Sequence, residues 1–173
     1  MRSKRAIVLM TISTILLLGL FVDLFLAPAL FPHLGAKRSA TIFFRNLTNG
    51  DFDRASEYVL LLADFGPEPT ISDEDAKKVW VSRMTRLKQK GIYIKSYRNL
   101  KTFMFKGSPA GEVVIIAVKN GQEFSSDSTI DFSQADGRWR VRCITMYKQD
   151  IPDLSRALRE NITYDEYKSL RHK

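Results

Sequence analysis

The sequence predicts an α+β chain, with one membrane-spanning helix followed by a single domain of about three helices and an antiparallel sheet. Three observations predict it. An uncharged apolar run extends from Ala6 to Val22 and resumes at Leu24. Apolar residues then recur at helical spacing between Ala36 and Leu87. From Ile92 onward the period shortens toward two, and Asn-Gly and Asp-Gly pairs punctuate it. The chain has 173 residues, 45% of them hydrophobic, which is enough for one cored domain.

The segment from Ala6 to Leu26 would reach about 31 Å as a helix, the hydrocarbon thickness of a bilayer. Fourteen of its residues are Leu, Ile, Val or Phe. Together they favour insertion by at least about 4 kcal/mol, against about 3 kcal/mol at most for Asp23. Arg2, Lys4 and Arg5 precede the run, and such cations hold an N-terminus in the cytoplasm. The expected organisation is a cytoplasmic stub over 1–5, an anchor over 6–26, a connector over 27–35, an extracytoplasmic domain over 36–147 and a helical tail over 148–173. The alternative is secretion after cleavage near Ala29, because Ala27-Pro28-Ala29 suits a signal peptidase. The run is longer than a signal peptide needs, which favours the uncleaved anchor.

In the first helix Ala36, Ala40, Phe43, Phe44 and Leu47 share one face, and Gly50 stands where a left-handed cap belongs. Asp51 caps a second short helix with Phe52, Ala55, Val59 and Leu62 inward, before Gly66-Pro67-Glu68-Pro69 breaks the chain. The third helix has Ser72 as N-cap and acids at 73–75 in its first turn. Lys88 and Lys90 lie in its last turn, Gly91 beyond, and its inner stripe is Ala76, Val79, Trp80, Met84 and Leu87.

Strands follow over roughly Ile92–Asn99 and Lys101–Lys106. A two-residue turn at Asn120-Gly121 pairs Ala117 with Phe124 and Ile115 with Ser126. A second at Asp136-Gly137 pairs Phe132 with Val141, Asp131 with Arg142 and Ile130 with Cys143. Val113, Ile115, Phe124, Ile130, Phe132, Trp139 and Cys143 then face inward, while Asp127, Asp131, Arg140 and Arg142 face outward. Ile151-Pro152 opens an amphipathic segment with Leu154 and Leu158, and Thr163 to Glu166 makes a capping box for a last helix.

Asn49-Gly50-Asp51-Phe52-Asp53-Arg54-Ala55 at the junction of the first two helices, with the hairpins from Glu112 to Met146, resembles the cone-shaped, cystatin-like α+β fold of the nuclear transport factor 2-like superfamily. The resemblance covers roughly Ala36 to Tyr147 and implies helices packed on a curved sheet. That superfamily includes ketosteroid isomerases, ligand-binding proteins and anchored bacterial domains that only assemble with others. An isomerase-type site needs an Asp and a Tyr inside the cone. Asp127 and Asp131 fall outside it in this register, so no catalytic residue is carried over.

Cys143 is the only cysteine, so no internal disulfide forms. His33 and His172 are the only histidines, and no metal, nucleophile-elbow or phosphate-loop pattern occurs. No cofactor or metal is expected. Between Lys77 and Lys106 there are ten Lys or Arg and no acid. Lys77, Lys78, Arg83, Arg86, Lys88 and Lys90 on the third helix are therefore candidate contacts for an anionic lipid or wall polymer, with nucleic acid ranked below both. Tyr58, Ser126, Ser128 and Thr145 are candidate polar points of an internal pocket. Val114, Ile116, Val118 and Ile144 form an outward apolar patch, to be covered by the tail helices or by a second copy of the domain. The expected role is an anchored binding or interaction domain without chemistry. The alternatives are a ligand carrier or enzyme using the cone, and a subunit of a secretion or envelope assembly.

Overall fold

The computed structural model of the chain describes residues 12–14, 32–61, 71–148, 150–159 and 161–171. Helix α1 is Pro32–Asn49, α2 Phe52–Ser56 and α3 Asp73–Gln89; strands β1 Ile92–Phe105, β2 Ser108–Lys119, β3 Gln122–Ala135 and β4 Arg138–Met146 follow, then α4 Pro152–Arg159 and α5 Tyr164–Arg171. The sheet is an antiparallel meander in the order β1-β2-β3-β4. Helices lie on one face of it, in the predicted α+β arrangement.

The predicted anchor lies outside the described residues except at 12–14, which are helical. Among the described residues no helix is long and apolar enough to cross a membrane.

Local chemistry explains the element boundaries. Ser72 accepts from the Asp75 backbone N–H at 3.1 Å as the N-cap of α3, and Gly91 beyond its C-terminus has φ +72°. Asp51 caps α2 by accepting from the Arg54 N–H at 3.2 Å. All three hairpins turn on two residues with positive φ: Lys106-Gly107, Asn120-Gly121 and Asp136-Gly137. That geometry matches the right-handed twist of the flanking strands.

Four expectations need correction. α1 begins at Pro32, before Ala36. The second helix ends at Ser56. Val59 instead bridges Val141 in parallel, and the Leu60 N–H donates to the Val141 carbonyl at 2.8 Å, so this segment lines the free edge of β4. The two strands expected between Ile92 and Lys106 are one strand, kinked where Asn99 takes φ +58° and the register slips between Arg98 and Lys101.

The fourth correction decides which side chains face the core. β3 and β4 pair Phe132 with Val141 as predicted, but Asp131 pairs with Cys143 and Ile130 with Ile144. The register shift between Asp131 and Phe132 leaves Arg142 as an extra residue on β4. Every side chain beyond it changes face. Ile144 is therefore buried in the core, not part of the outward patch, and Thr145, paired with Thr129, leaves the inner face.

The tail also packs differently from expectation. Ile151, Leu154, Leu158 and Ile162 join the same core as Ile144, Met146 and Trp80, with α4 set against β4 and α3. The tail helices thus extend the helical layer and do not cover the outer face of the sheet.

Candidate functional site

The inner face of the sheet is packed. Phe43, Phe44, Trp80, Ile115, Ile130 and Ile144 are all fully buried side chains, joined by Ile151, Leu154 and Ile162 from the tail. Phe43 packs on Phe44 edge to face at 5.1 Å and on Trp80 at 6.2 Å between ring centroids.

Of the four residues predicted to line a pocket, Ser128 lines a cavity of about 320 Å³ with Asn99, Lys101, Asp127 and Tyr147, and Tyr58, Ser126 and Thr145 are not in its lining. Ser126 Oγ donates to the Asp127 carbonyl at 3.0 Å and accepts from the Lys148 N–H at 3.2 Å. Ser128 Oγ donates to the Ser126 carbonyl at 3.3 Å. Both buried hydroxyls are thus engaged by nearby backbone, where β3 meets the end of β4. Tyr58 is half-buried against the core, and its carbonyl accepts from the Val141 N–H at the sheet edge. Thr145 lies on the other face, with its hydroxyl 3.7 Å from Cys143 Sγ.

The outer face is less apolar than the sequence suggested. Val114 and Ile116 are partly covered, and Val118 is buried. Lys95 of β1 and Glu123 of β3 form an ion pair that must cross over β2, which lies between those strands. Glu123 is the direct neighbour of Val118, so the pair roofs that valine. The Glu123 carboxylate, by hydrogen bond and charge, holds the Lys95 ammonium above its ordinary value. Asp131 and Arg142 are 3.7 Å apart and half-exposed, an ion pair made at the bulge although the strand partner of Asp131 is Cys143.

The five predicted bases of α3 and Lys90 at its C-cap divide into three groups. Near the helix start, Lys77 pairs with Asp73 at 3.3 Å, and Lys78 with Glu74 at 2.8 Å. These are i,i+4 contacts on the helix's own surface. Lys88 lies 5.8 Å from the centre of the Phe52 ring.

Arg83, Arg86 and Lys90 fall on a different face, spaced by three and four residues, and line a cleft of about 460 Å³. Leu87 lies beside them on the same wall, Asp153, Arg156 and Ala157 of α4 make the opposite one, and Thr163 and Glu166 close the end. Arg83 is fixed there: Nε donates to Glu166 Oε1 at 2.9 Å and Nη2 to Oε2 at 2.5 Å. It also donates to the carbonyls of Ala157 and Asn161 at 3.5 and 3.3 Å. Burial pushes the Glu166 carboxyl up, but hydrogen bonds from Arg83 and the Thr163 N–H outweigh it and hold the carboxyl below its usual range.

A carboxylate held ionised and occupied on both oxygens is a poor general acid or base at neutral pH. Glu166 neutralises Arg83, and Arg86 and Lys90 line the cleft beside that pair, with Asp153 and Arg156 on the opposite wall. That arrangement can hold an anionic group. Among the described residues no three His, Cys, Asp or Glu side chains converge as a metal site.

Sequence reasoning found Arg83, Arg86 and Lys90 but missed the opposing wall. Arg156 and Asp153 lie some 70 residues away in sequence, and only the fold brings them together.

No family model matches the chain, and no curated protein matches it. Solved structures do share its outline. A candidate polyketide cyclase from Xanthomonas campestris is 15% identical, with 71% of this chain and 97% of that one covered and a TM-score of 0.49. A nuclear-transport-factor-2-like protein with a cystatin-like fold from Novosphingobium aromaticivorans is 13% identical over 76% and 92%, with a TM-score of 0.47. An epoxide hydrolase of the LEH-like kind from Mycobacterium tuberculosis is 16% identical over 73% and 91%, with a TM-score of 0.44.

Proposed function

We propose that this is a single-pass membrane protein whose domain lies outside the cytoplasm and works as a binding or interaction module, holding an anionic group of its partner in the cleft between α3 and the tail. The observation that carries the reading is the filled interior. Trp80, Phe43 and the tail residues Ile151, Leu154 and Ile162 are buried together in one apolar core, where an internal pocket would need open space. Recognition is therefore a matter of surface, and the basic cleft is a described surface on which several charged side chains converge.

The anchor rests on the sequence: the apolar run over 6–26 and the three cations before it. Cleavage near Ala29 would leave the domain on the same side. A carrier or enzyme using the interior has less to stand on, because Ser126 and Ser128 are engaged with backbone and Thr145 faces away. A homodimer through the outer face loses Ile144 to the core and finds Val118 roofed. Anionic lipid and anionic wall polymer share the chemistry that the cleft would recognise.

A reporter fused behind Lys173 tests the topology, and photocrosslinking from a photoreactive residue at Asp153, on the opposite wall of the cleft, tests the cleft in intact cells. Activity of the reporter outside the cytoplasm, with a crosslinked species lost in Arg86→Glu/Lys90→Glu, is the expected result. A reporter active only in the cytosol ends the reading.

A further inference from the structure

The end of the domain from which the N-terminal chain departs carries a feature that the cleft does not use. α1 runs antiparallel to β1: Thr102 Oγ1 donates to the His33 carbonyl at 2.9 Å, and Phe44 stacks on Tyr97 at 5.0 Å. The helix from His33 to Phe44 rises about 16 Å, and the strand from Thr102 back to Tyr97, opposite Gly111 to Ile115, covers about 13 Å. Helix and strand therefore keep in step. Beyond Thr102 and Gly111 each strand of the hairpin continues for three residues, so its tip stands about 10 Å past the first turn of α1.

That tip is apolar and uncovered. Phe103, Met104 and Phe105 are 38%, 45% and 57% exposed, and Leu34 in the first turn of α1 is 46% exposed. Among the described residues, four of the seven exposed large apolar side chains thus gather at one end of the molecule. Scattered exposed apolar residues need no explanation, but a cluster does. Cations surround it: Lys37 and Arg38 on α1, Lys101 on β1, and Lys106, whose ammonium lies 5.3 Å from the centre of the Phe105 ring. The acids beside them are Glu112, opposite Lys101, and Asp131, opposite Ala110 and paired with Arg142.

Five residues, 27–31, separate the apolar run from Pro32. Five residues span at most about 17 Å. The tip covers about 10 Å of that distance, leaving about 7 Å, which is the depth of the headgroup layer beyond the hydrocarbon. We infer that the β1–β2 hairpin tip docks on the anionic bilayer that holds the chain, with Phe103, Met104 and Phe105 entering the headgroup layer and the surrounding lysines and Arg38 meeting lipid phosphates. The inference rests on the anchored reading above. Its consequence is orientation. Gly91, after the end of α3, accepts from the Asn120 N–H at the opposite hairpin end, so docking points the Arg86 and Lys90 end of the cleft away from the membrane and leaves wall polymer, not the anchoring lipid, as its anionic partner.

The test uses the full chain in nanodiscs, with Cys143→Ser removing the native thiol. An environment-sensitive dye is placed at Phe105→Cys or, at the opposite end, Gln122→Cys. With phosphatidylglycerol present, brominated lipid should quench the dye at 105 at least about twofold more than at 122, and Lys106→Glu or pure phosphatidylcholine should reduce the difference. A dye at 105 as open to aqueous iodide as that at 122 overturns the docking. So does a dye shielded from iodide yet untouched by brominated lipid, which would mean a protein neighbour. Retention in vesicles after an alkaline carbonate wash separates the two readings: a chain that stays while its 105 dye remains in water refutes the docking alone. A chain that washes off refutes docking and anchor together.

Discussion

Arg83 on α3 and Glu166 on α5, 83 residues apart in sequence, meet through both nitrogens of one guanidinium edge and both oxygens of one carboxylate. Glu166 is also the N3 member of the capping box that starts α5, accepting from the Thr163 N–H at 3.1 Å. One carboxylate therefore both begins the last helix and ties it to the third. Arg83 does the matching work for α4, bonding the carbonyls of Ala157 and Asn161 near its end.

The pair is sheltered, with Arg83 and Glu166 side chains 12% and 27% exposed, so it should count for more than a surface salt bridge. Arg83→Met should cost about 2 kcal/mol, because it leaves the carboxylate and two carbonyls short of partners. Glu166→Gln should cost about 1 kcal/mol. A double-mutant cycle by urea unfolding of the full chain in detergent should give a coupling of about 1 kcal/mol or more. Additive losses would show that the two residues act independently.

The same contact sets an acid limb of stability. Glu166 has a native pKa below its ordinary 4.5, so the folded state binds its proton less readily than the unfolded state. Its contribution is complete above that ordinary value and disappears as pH falls through the lowered native one. Wild type should therefore lose stability more steeply than Glu166→Gln on acidification below about pH 5, with the two curves drawing together. Parallel curves would deny the shift.

Much of the frame was legible because short-range chemistry marks it. Ser72, the acids after it and Gly91 delimit α3, and Asn120-Gly121 sets the β2–β3 register for its whole length. The bulge was not legible. Register counted from the Asp136-Gly137 turn assumes one residue opposite one, and nothing in Val141-Arg142-Cys143 announces an extra residue. The cleft was half legible: the basic face of α3 has a helical spacing, whereas its acidic and tail partners are set only by tertiary packing.

The bulge makes a sharp test of face assignment. Ile144→Ala removes a fully buried side chain and should cost about 3 kcal/mol, whereas Val114→Ala on the outer face should cost about 1 kcal/mol or less. Thermal unfolding of the two variants measures the difference. Equal small losses would return Ile144 to the surface and restore the register in which Cys143 faces the core.

Trp80 decides whether the interior is a core or a site. It is almost completely buried, beside Phe43, on the inner stripe of α3. If the space under the sheet is simply filled, Trp80→Ala removes a large packed ring and should cost about 3 to 5 kcal/mol. That is a large share of a typical domain's 5 to about 15 kcal/mol. Part of the loss should return when indole is added, since a vacated apolar cavity accepts a ligand of matching shape. A ligand site would behave in the opposite way. Its residues line a space that already stands open without ligand, so truncation would remove fewer contacts, cost about 1 kcal/mol and gain nothing from indole. Unfolding of wild type and variant, with and without indole, separates the two cases. A small loss without rescue would mean that Phe43, Trp80 and Leu154 line a ligand space, and the surface reading of recognition would fall with the filled core on which it stands.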